Sequence, residues 1–195
     1  MDNEGNQQET VGDNMLSEYS KFVEPSKLPK KRIQLHYYLV GFADAEGCFS
    51  VALKKQKDTR FGWVLDPVFH VTQHEKNRAV LELFKAELKC GRIEAKHGQE
   101  HTLQFTVDNR RQLAEKVIPF FERRKLLVKS DDFRLFERIV SGLEKKEHAN
   151  LEKFKYLITQ AFKMNLDGKQ RRYTLSEVLD SLAGSSETTR QTPQK

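Results

Sequence analysis

The chain has 195 residues, with 34 lysines and arginines against 28 acids, a formal charge of +6 and a pI near 9.2. It is a basic protein of one domain's size, for which nucleic acid is a permitted partner but not yet an indicated one. No apolar run reaches the roughly 18 residues of a membrane helix, no basic and apolar leader pattern opens the chain, and its two cysteines, Cys48 and Cys90, have neither the number nor the spacing of a disulfide framework or zinc site. A soluble, intracellular protein with no membrane partner is expected.

Residues 1–33 read as a flexible arm. Up to about Pro25 they are polar and rich in Asn, Gln and Glu, and Lys27, Lys30, Lys31 and Arg32 then form a basic cluster broken by Pro29. That cluster is either a solvated linker or, from its place before the first helix, a contact for phosphates. A helical period follows: Leu35, Leu39 and Phe42 share one face, while Gly41 and Ala45 lie one turn apart on another. The second pair leaves a side-chain-poor stripe where another backbone can approach closely, a steric device best known from membrane helices. Gly47 reads as a left-handed C-cap, which leaves Glu46 in the last turn. The partial negative charge of a helix C-terminus disfavours an acid there unless a cation, such as a metal ion, sits beside it.

After Gly47 the period changes to two. Phe49, Val51 and Leu53 face one way and Ser50, Ala52, Lys54 and Gln56 the other. Residues 57–62 turn the chain into a second strand, with Phe61, Trp63, Leu65, Phe69 and Val71 inward and Asp66, Val68, His70 and Thr72 outward. Pro67 cannot donate to a ladder, so an edge or bulge is expected there. A helix over residues 77–89 carries Val80, Leu81, Phe84 and Leu88, and a second hairpin follows, at 92–97 and 101–107. Its outward residues are Arg92, Glu94, Lys96, Thr102, Gln104 and Thr106. Asp108 or Asn109 caps a third helix through Leu113, Val117 and Phe121, with Pro119 expected to kink or end it. The order helix, hairpin, helix, hairpin, helix predicts an α+β fold: a four-stranded antiparallel sheet with helices on one face. Further helices are expected after Ser130, near residues 150–163 and near 175–182, with a disordered tail over 184–195.

Four stretches carry a family resemblance. Leu39-Val-Gly-Phe-Ala-Asp-Ala-Glu-Gly47 resembles the LAGLIDADG motif of homing endonucleases. Phe69-His-Val-Thr-Gln73 resembles the strand that in single-motif members ends in a water-ordering Gln. Lys125-Leu-Leu-Val-Lys-Ser-Asp-Asp-Phe133 resembles the segment that sets a lysine before a helix, near the scissile phosphate. Asn165-Leu-Asp-Gly-Lys-Gln-Arg-Arg-Tyr-Thr174 is similar to a loop that touches the DNA backbone.

The resemblance covers residues 34–183 as one LAGLIDADG domain of αββαββα form with additional C-terminal helices. It implies that Glu46, with the backbone carbonyl of Ala45, binds a catalytic Mg²⁺, for which Mn²⁺ can substitute and which Ca²⁺ replaces without supporting cleavage. Gln73 and Lys129 complete the catalytic set, with Lys125 as the rival lysine. For Gln73 the parity of the strand is a difficulty, because it groups Gln73 with the inward Phe69 and Val71 unless the strand stops or bends at Thr72. Gly41 and Ala45 become the packing pair of a homodimer. The outward face, with Ser50, Lys54, Gln56, Asp66, His70, Thr72, Glu94, Lys96, Thr102 and Gln104, becomes a surface for the DNA major groove, and Lys169, Arg171 and Arg172 become phosphate contacts. The implied function is Mg²⁺-dependent double-strand cleavage of a long, roughly palindromic DNA target, promoting intron mobility in an organelle or a prokaryotic cytoplasm. An RNA-binding maturase and a non-cleaving DNA-binding regulator are the alternatives on the same fold.

Overall fold

The computed structural model describes residues 18–165 and 171–188, with side chains through Leu182. Helix α1, Arg32–Glu46, runs without a loop into β1, Gly47–Lys55. Strand β2, Trp63–His74, turns through a short 3₁₀ segment into α2, Arg78–Leu88. Strands β3, Arg92–Ala95, and β4, Thr102–Val107, form the second hairpin. Helix α3 consists of three consecutive pieces, Arg110–Gln112, a π-helical Leu113–Val117, and Ile118–Glu122. Helices α4, Ser130–Glu144, α5, Leu151–Lys163, and α6, Leu175–Thr188, follow.

The four strands pair antiparallel in the order β1-β2-β4-β3. Alternation sends Phe49, Val51, Leu65, Phe69, Val71, Phe105 and Val107 into the core beneath the helices, as the period-two reading required. Phe49 is the hub: its ring lies 4.9 Å from that of Phe69, 5.3 Å from Phe121 and 5.2 Å from Phe133, tying sheet to α3 and α4. Pro67 pairs only with β1, opposite Val51, because β4 joins β2 from Phe69 onward. The edge expected at that proline is therefore present. Helix α6 closes the start of β2, where Trp63 Nε1 donates to Ser181 Oγ at 2.8 Å and Val178 and Leu182 are buried.

Several expectations need correction. Residues 1–17 of the expected arm lie outside the described residues; beyond them the arm is anchored to the core by Tyr19 and Leu28, while most of its other residues stay exposed. Tyr19 is fully buried and its hydroxyl donates to Glu87, which also meets Arg32 Nε at 3.2 Å and His36 Nε2 at 2.6 Å. Burial pushes the Glu87 carboxyl up, but the hydrogen bonds of Tyr19, His36 and Arg32 hold it below its ordinary range. The basic cluster thus yields Arg32 to a half-buried ion pair with Glu87. Gly47 is not a left-handed cap: its φ of −79° and ψ of 161° already belong to β1. It is glycine because a Cβ there would stand 2.6 Å from the carbonyl oxygen of Ala43. Pro119 does not end α3. The missing N–H and the bulk of its ring are accommodated by the wide π turn just before it, and the helix continues to Glu122. Helix α6 runs to Thr188, past the boundary expected at Gly184.

Candidate active site and nucleic-acid interface

The C-terminal turn of α1 leaves carbonyls without helical partners, and these carry the negative end of the helix dipole. Lys129, the last residue before α4, fills that position: its ammonium donates to the Asp44 carbonyl and, at 2.9 Å, to that of Ala45. Lys125, the rival lysine, lies exposed at the other end of the loop.

The loop is held by a residue that sequence reasoning missed. The carboxylate of Asp44 accepts three consecutive backbone N–H groups, Leu127 at 2.9 Å, Val128 at 3.0 Å and Lys129 at 2.8 Å. Slight burial pushes this carboxyl up, but the N–H groups of Val128, Lys129 and Leu127 and the charge of Lys129 outweigh it and hold it below the usual carboxylate range. The signal was present as the motif's other acid. Residues two apart on a helix point roughly 200° apart, so Asp44 turns toward the loop while Glu46 stays exposed. Among the described residues, no ion pair or hydrogen bond engages the Glu46 carboxylate.

Gln73 departs from expectation in its strand. Strand β2 does not stop at Thr72 but continues to His74, with Gln73 opposite Leu103. Because Gly47 is opposite Val71, Gln73 lies just past the point where β1 gives way to α1, at the same end of the sheet as Glu46. Its side-chain carbonyl accepts from Asn77 Nδ2 at 3.0 Å.

Among the described residues, no group of three or more His, Cys, Asp or Glu side chains is arranged to hold a metal. One free carboxylate beside helix-end carbonyls still suits Mg²⁺, which commonly takes one or two carboxylates and fills its remaining positions with water and substrate phosphate. The seating of the Lys129 ammonium on the Asp44 and Ala45 carbonyls shows that this helix end accepts positive charge.

The outer face of the sheet has the composition read from the sequence. Cys48, His70, Thr106 and Arg92 lie abreast across all four strands, and Thr72, Gln104 and Glu94 form the next row. Burial, with the charge of Lys96 nearby, pushes the His70 imidazole down, which favours the neutral ring, able both to donate and to accept. Lys54 and Asp66 form an ion pair across β1 and β2, and Ser50 lies opposite Val68 on the same face. Thr102 starts β4, while Gln56 and Lys96 fall just beyond the ends of β1 and β3. Arg92 joins this face and pairs with Glu94 at 3.1 Å and Asp108 at 2.8 Å.

The C-terminal basic loop is only partly available. Lys169 lies outside the described residues. Arg171 donates to the Ala161 carbonyl and, at 3.2 Å, to that of Met164, and stacks over Phe162. Burial pushes its guanidinium down. One guanidinium nitrogen thus closes the end of α5, while the residue as a whole stays exposed. Arg172 is exposed beside Tyr173, on the rim of a cleft of about 580 Å³ that opens against Ser50 and Ala52 of β1.

The sequence profile of the LAGLIDADG endonucleases matches residues 39–140, more than half the chain and the whole run from α1 into α4. The chain belongs to the LAGLIDADG endonuclease family. It is a DNA endonuclease, a hydrolase of phosphodiester bonds whose family chemistry depends on a metal ion, and its α+β fold is the LAGLIDADG fold. The homing endonuclease I-ApeII of Aeropyrum pernix is 35% identical over 149 residues, covering 74% of this chain and 88% of the relative. The DNA endonuclease I-CeuI of Chlamydomonas moewusii is 45% identical over 86 residues, 44% of this chain and 39% of the relative. Among solved structures, the archaeal intron-encoded homing endonuclease I-Vdi141I complexed with DNA superposes with a TM-score of 0.76 at 37% identity, covering 80% of this chain and 99% of that one. No helix among the described residues of this LAGLIDADG protein is long and apolar enough to cross a membrane.

Proposed function

We propose that this endonuclease acts as a homodimer on a long, roughly palindromic DNA site, using Mg²⁺ held by Glu46 and the Ala45 carbonyl, and that the cut promotes mobility of its host intron. The observation that carries the reading is the junction at the end of α1, where one acid, Asp44, fixes the lysine loop and the next, Glu46, is left free and solvent-facing.

The dimer reading rests on α1 itself. Its exposed face comprises Ile33, Gln34, Tyr37, Tyr38, Gly41 and Ala45. Tyr37 and Tyr38 are 60% and 49% exposed, and nothing lies within 4 Å of a Cβ built on Gly41. An apolar face centred on a glycine suits close approach of a second copy of the same helix. A twofold axis duplicates the site, and a palindromic target follows from that symmetry.

When bound, a divalent cation supplies a Lewis acid for the phosphate and lowers the pKa of attacking water. Lys129, tethered within reach of the same carbonyls, can turn to the phosphate and offset the charge that builds in the transition state. Gln73, fixed by Asn77, orients the attacking water. The sheet reads base edges through His70, Thr72, Gln104 and their row neighbours, while Arg172 and Lys169, the latter outside the described residues, contact phosphates. An organellar or prokaryotic setting is in keeping with relatives from an archaeon, an alga and fungi.

Glu46→Gln tests the reading, since it keeps shape and position and removes the charge that holds a cation. Cleavage of a cognate duplex in Mg²⁺ is expected to collapse, with binding measured in Ca²⁺ unchanged or tighter as acid–phosphate repulsion is relieved. Undiminished Mg²⁺-dependent nicking by the variant would remove Glu46 from the mechanism.

A further inference from the structure

Away from the end of α1 the sheet narrows. Strand β4 joins β2 only from Phe69 onward, and Pro67 has no N–H to offer a further strand, so from Val68 back to Trp63 the outer face is a ribbon of two strands, β1 and β2. A two-stranded ribbon fits the major groove. In the row of Cys48, His70, Thr106 and Arg92 a base pair meets side chains from four strands; on the ribbon it meets two.

Few of the ribbon's side chains can read a base. Alternation turns Ala52 and Lys54 of β1 and Val64, Asp66 and Val68 of β2 outward, and of these five only Lys54 and Asp66 carry hydrogen-bonding groups. They lie diagonally across the ribbon, Lys54 opposite Val64 and Asp66 opposite Ala52, and form an ion pair with each other. Among the described residues neither has another ion-pair or hydrogen-bond partner. With side chains 63% and 37% exposed, such a pair contributes little to the fold. It does set one donor head beside one acceptor head on an otherwise apolar strip.

The ammonium only donates and the carboxylate only accepts. In the major groove guanine offers two acceptors, N7 and O6, and cytosine a donor at N4, whereas adenine has an acceptor beside a donor and thymine an acceptor beside a methyl group. With guanine on the Lys54 side, both its acceptors face the ammonium and the cytosine N4 faces the carboxylate. Each of the other three placements turns an acceptor toward the carboxylate: thymine O4, adenine N7, or guanine O6 and N7. We infer that Lys54 and Asp66 together read one G·C pair in each half-site, with guanine on the Lys54 side. At about 3.3 Å per residue, Lys54 stands roughly 23 Å along β1 from Gly47, so this base pair lies well outward of the end of α1. The inference rests on the sheet reading base edges, as proposed above, and assigns that surface a base.

The test is a library of randomised duplexes selected by Mg²⁺-dependent cleavage with the full chain. Native protein is expected to fix a G·C pair in the outer part of each half-site, and a library without one would overturn the inference. Lys54→Asp combined with Asp66→Lys keeps an ion pair on the same ribbon and exchanges its ends, so it is expected to select the inverted pair at that position and leave the rest of the site unchanged. Asp66→Asn, which keeps the shape and removes the repulsion of acceptors, is expected to relax discrimination there about tenfold, and it decides the matter if the exchanged protein does not fold. Base preference unchanged in these variants, or all sequences weakened alike, would make the pair a structural or phosphate contact. His70→Ala, selected in parallel, probes the parent reading. A shift from His70→Ala with none from Lys54 and Asp66 leaves the sheet as the reader and the G·C assignment wrong; no shift from any of them removes the sheet from base reading altogether.

Discussion

Replacing Asp44 by alanine removes the single acceptor on which three consecutive N–H groups converge. Lys129, the N-cap residue of α4, makes no side-chain capping bond of its own, so nothing local takes over. Loss of an ordinary cap costs about 0.5–2 kcal/mol, and each hydrogen bond to a charged group is worth about 1.5–3 kcal/mol when nothing replaces it. Water replaces much of it at so open a loop, which brings the expected loss to about 2–3 kcal/mol. For a chain of this size that is roughly 4–12 °C in Tm, measurable by thermal or urea unfolding. Asp44→Asn, which keeps one acceptor oxygen, should lose about half as much. The pH dependence has a fixed sign. The folded carboxyl titrates below its unfolded value of about 3.9, so its contribution is complete above that value and is lost as pH falls through the folded one. The gap between native protein and variant should therefore be constant near neutrality and close in acid. Cleavage should fall further than stability does, because the loop that aims Lys129 is no longer pinned. A variant within about 0.5 kcal/mol of the native protein, with unchanged cleavage, would refute the clamp.

Two further substitutions separate surfaces. Gly41→Leu meets open space in the single chain, so the monomer should keep its Tm while sedimentation shows the dimer lost; a dimer of unchanged affinity would exclude α1 as the interface. Substituting His70 or Gln104 should change preference at one base position per half-site by about 1–3 kcal/mol, whereas Arg172→Ala should weaken binding to all sequences and flatten the salt dependence. Equal shifts in base preference from both kinds of variant would contradict the division between sheet and loop.

The fold was legible where its signal is local. Alternation at Phe49, Val51 and Leu53, and again at Phe69, Val71 and Phe105, placed the inner face because a strand's side chains can only alternate. The register then carried the outward residues with it. What escaped depends on partners far along the chain. The burial of Tyr19 follows from Glu87, 68 residues later, and no period in a polar arm announces it. Gly47 was read by residue type as a cap, yet its reason is steric and concerns the Ala43 carbonyl beneath it. Arg171 was read from its basic run as a phosphate contact; that it also meets the carbonyls at the end of α5 and the face of Phe162 follows only from the fold.

The site shows the same limit more sharply, because its two acids occur two residues apart in one motif. Composition cannot say which of Asp44 and Glu46 is structural; helix geometry can, since residues two apart must face different surroundings. Asp44 points to a loop more than 80 residues away and fixes it, the backbone of Lys129 included. That fixation has a chemical consequence. Without it, an ammonium on a long side chain would have many positions from which to miss a phosphate; with the backbone of Lys129 tied to α1, its head reaches the same carbonyls beside which Glu46 stands free. One helix end thus positions both the carboxylate proposed to hold the cation and the ammonium proposed to meet the phosphate, so any rigid displacement of α1 carries the two together. A variant that loosens only the loop should leave cation binding by Glu46 intact while cleavage falls, and this separates the two roles that a pair of acids in one motif obscures.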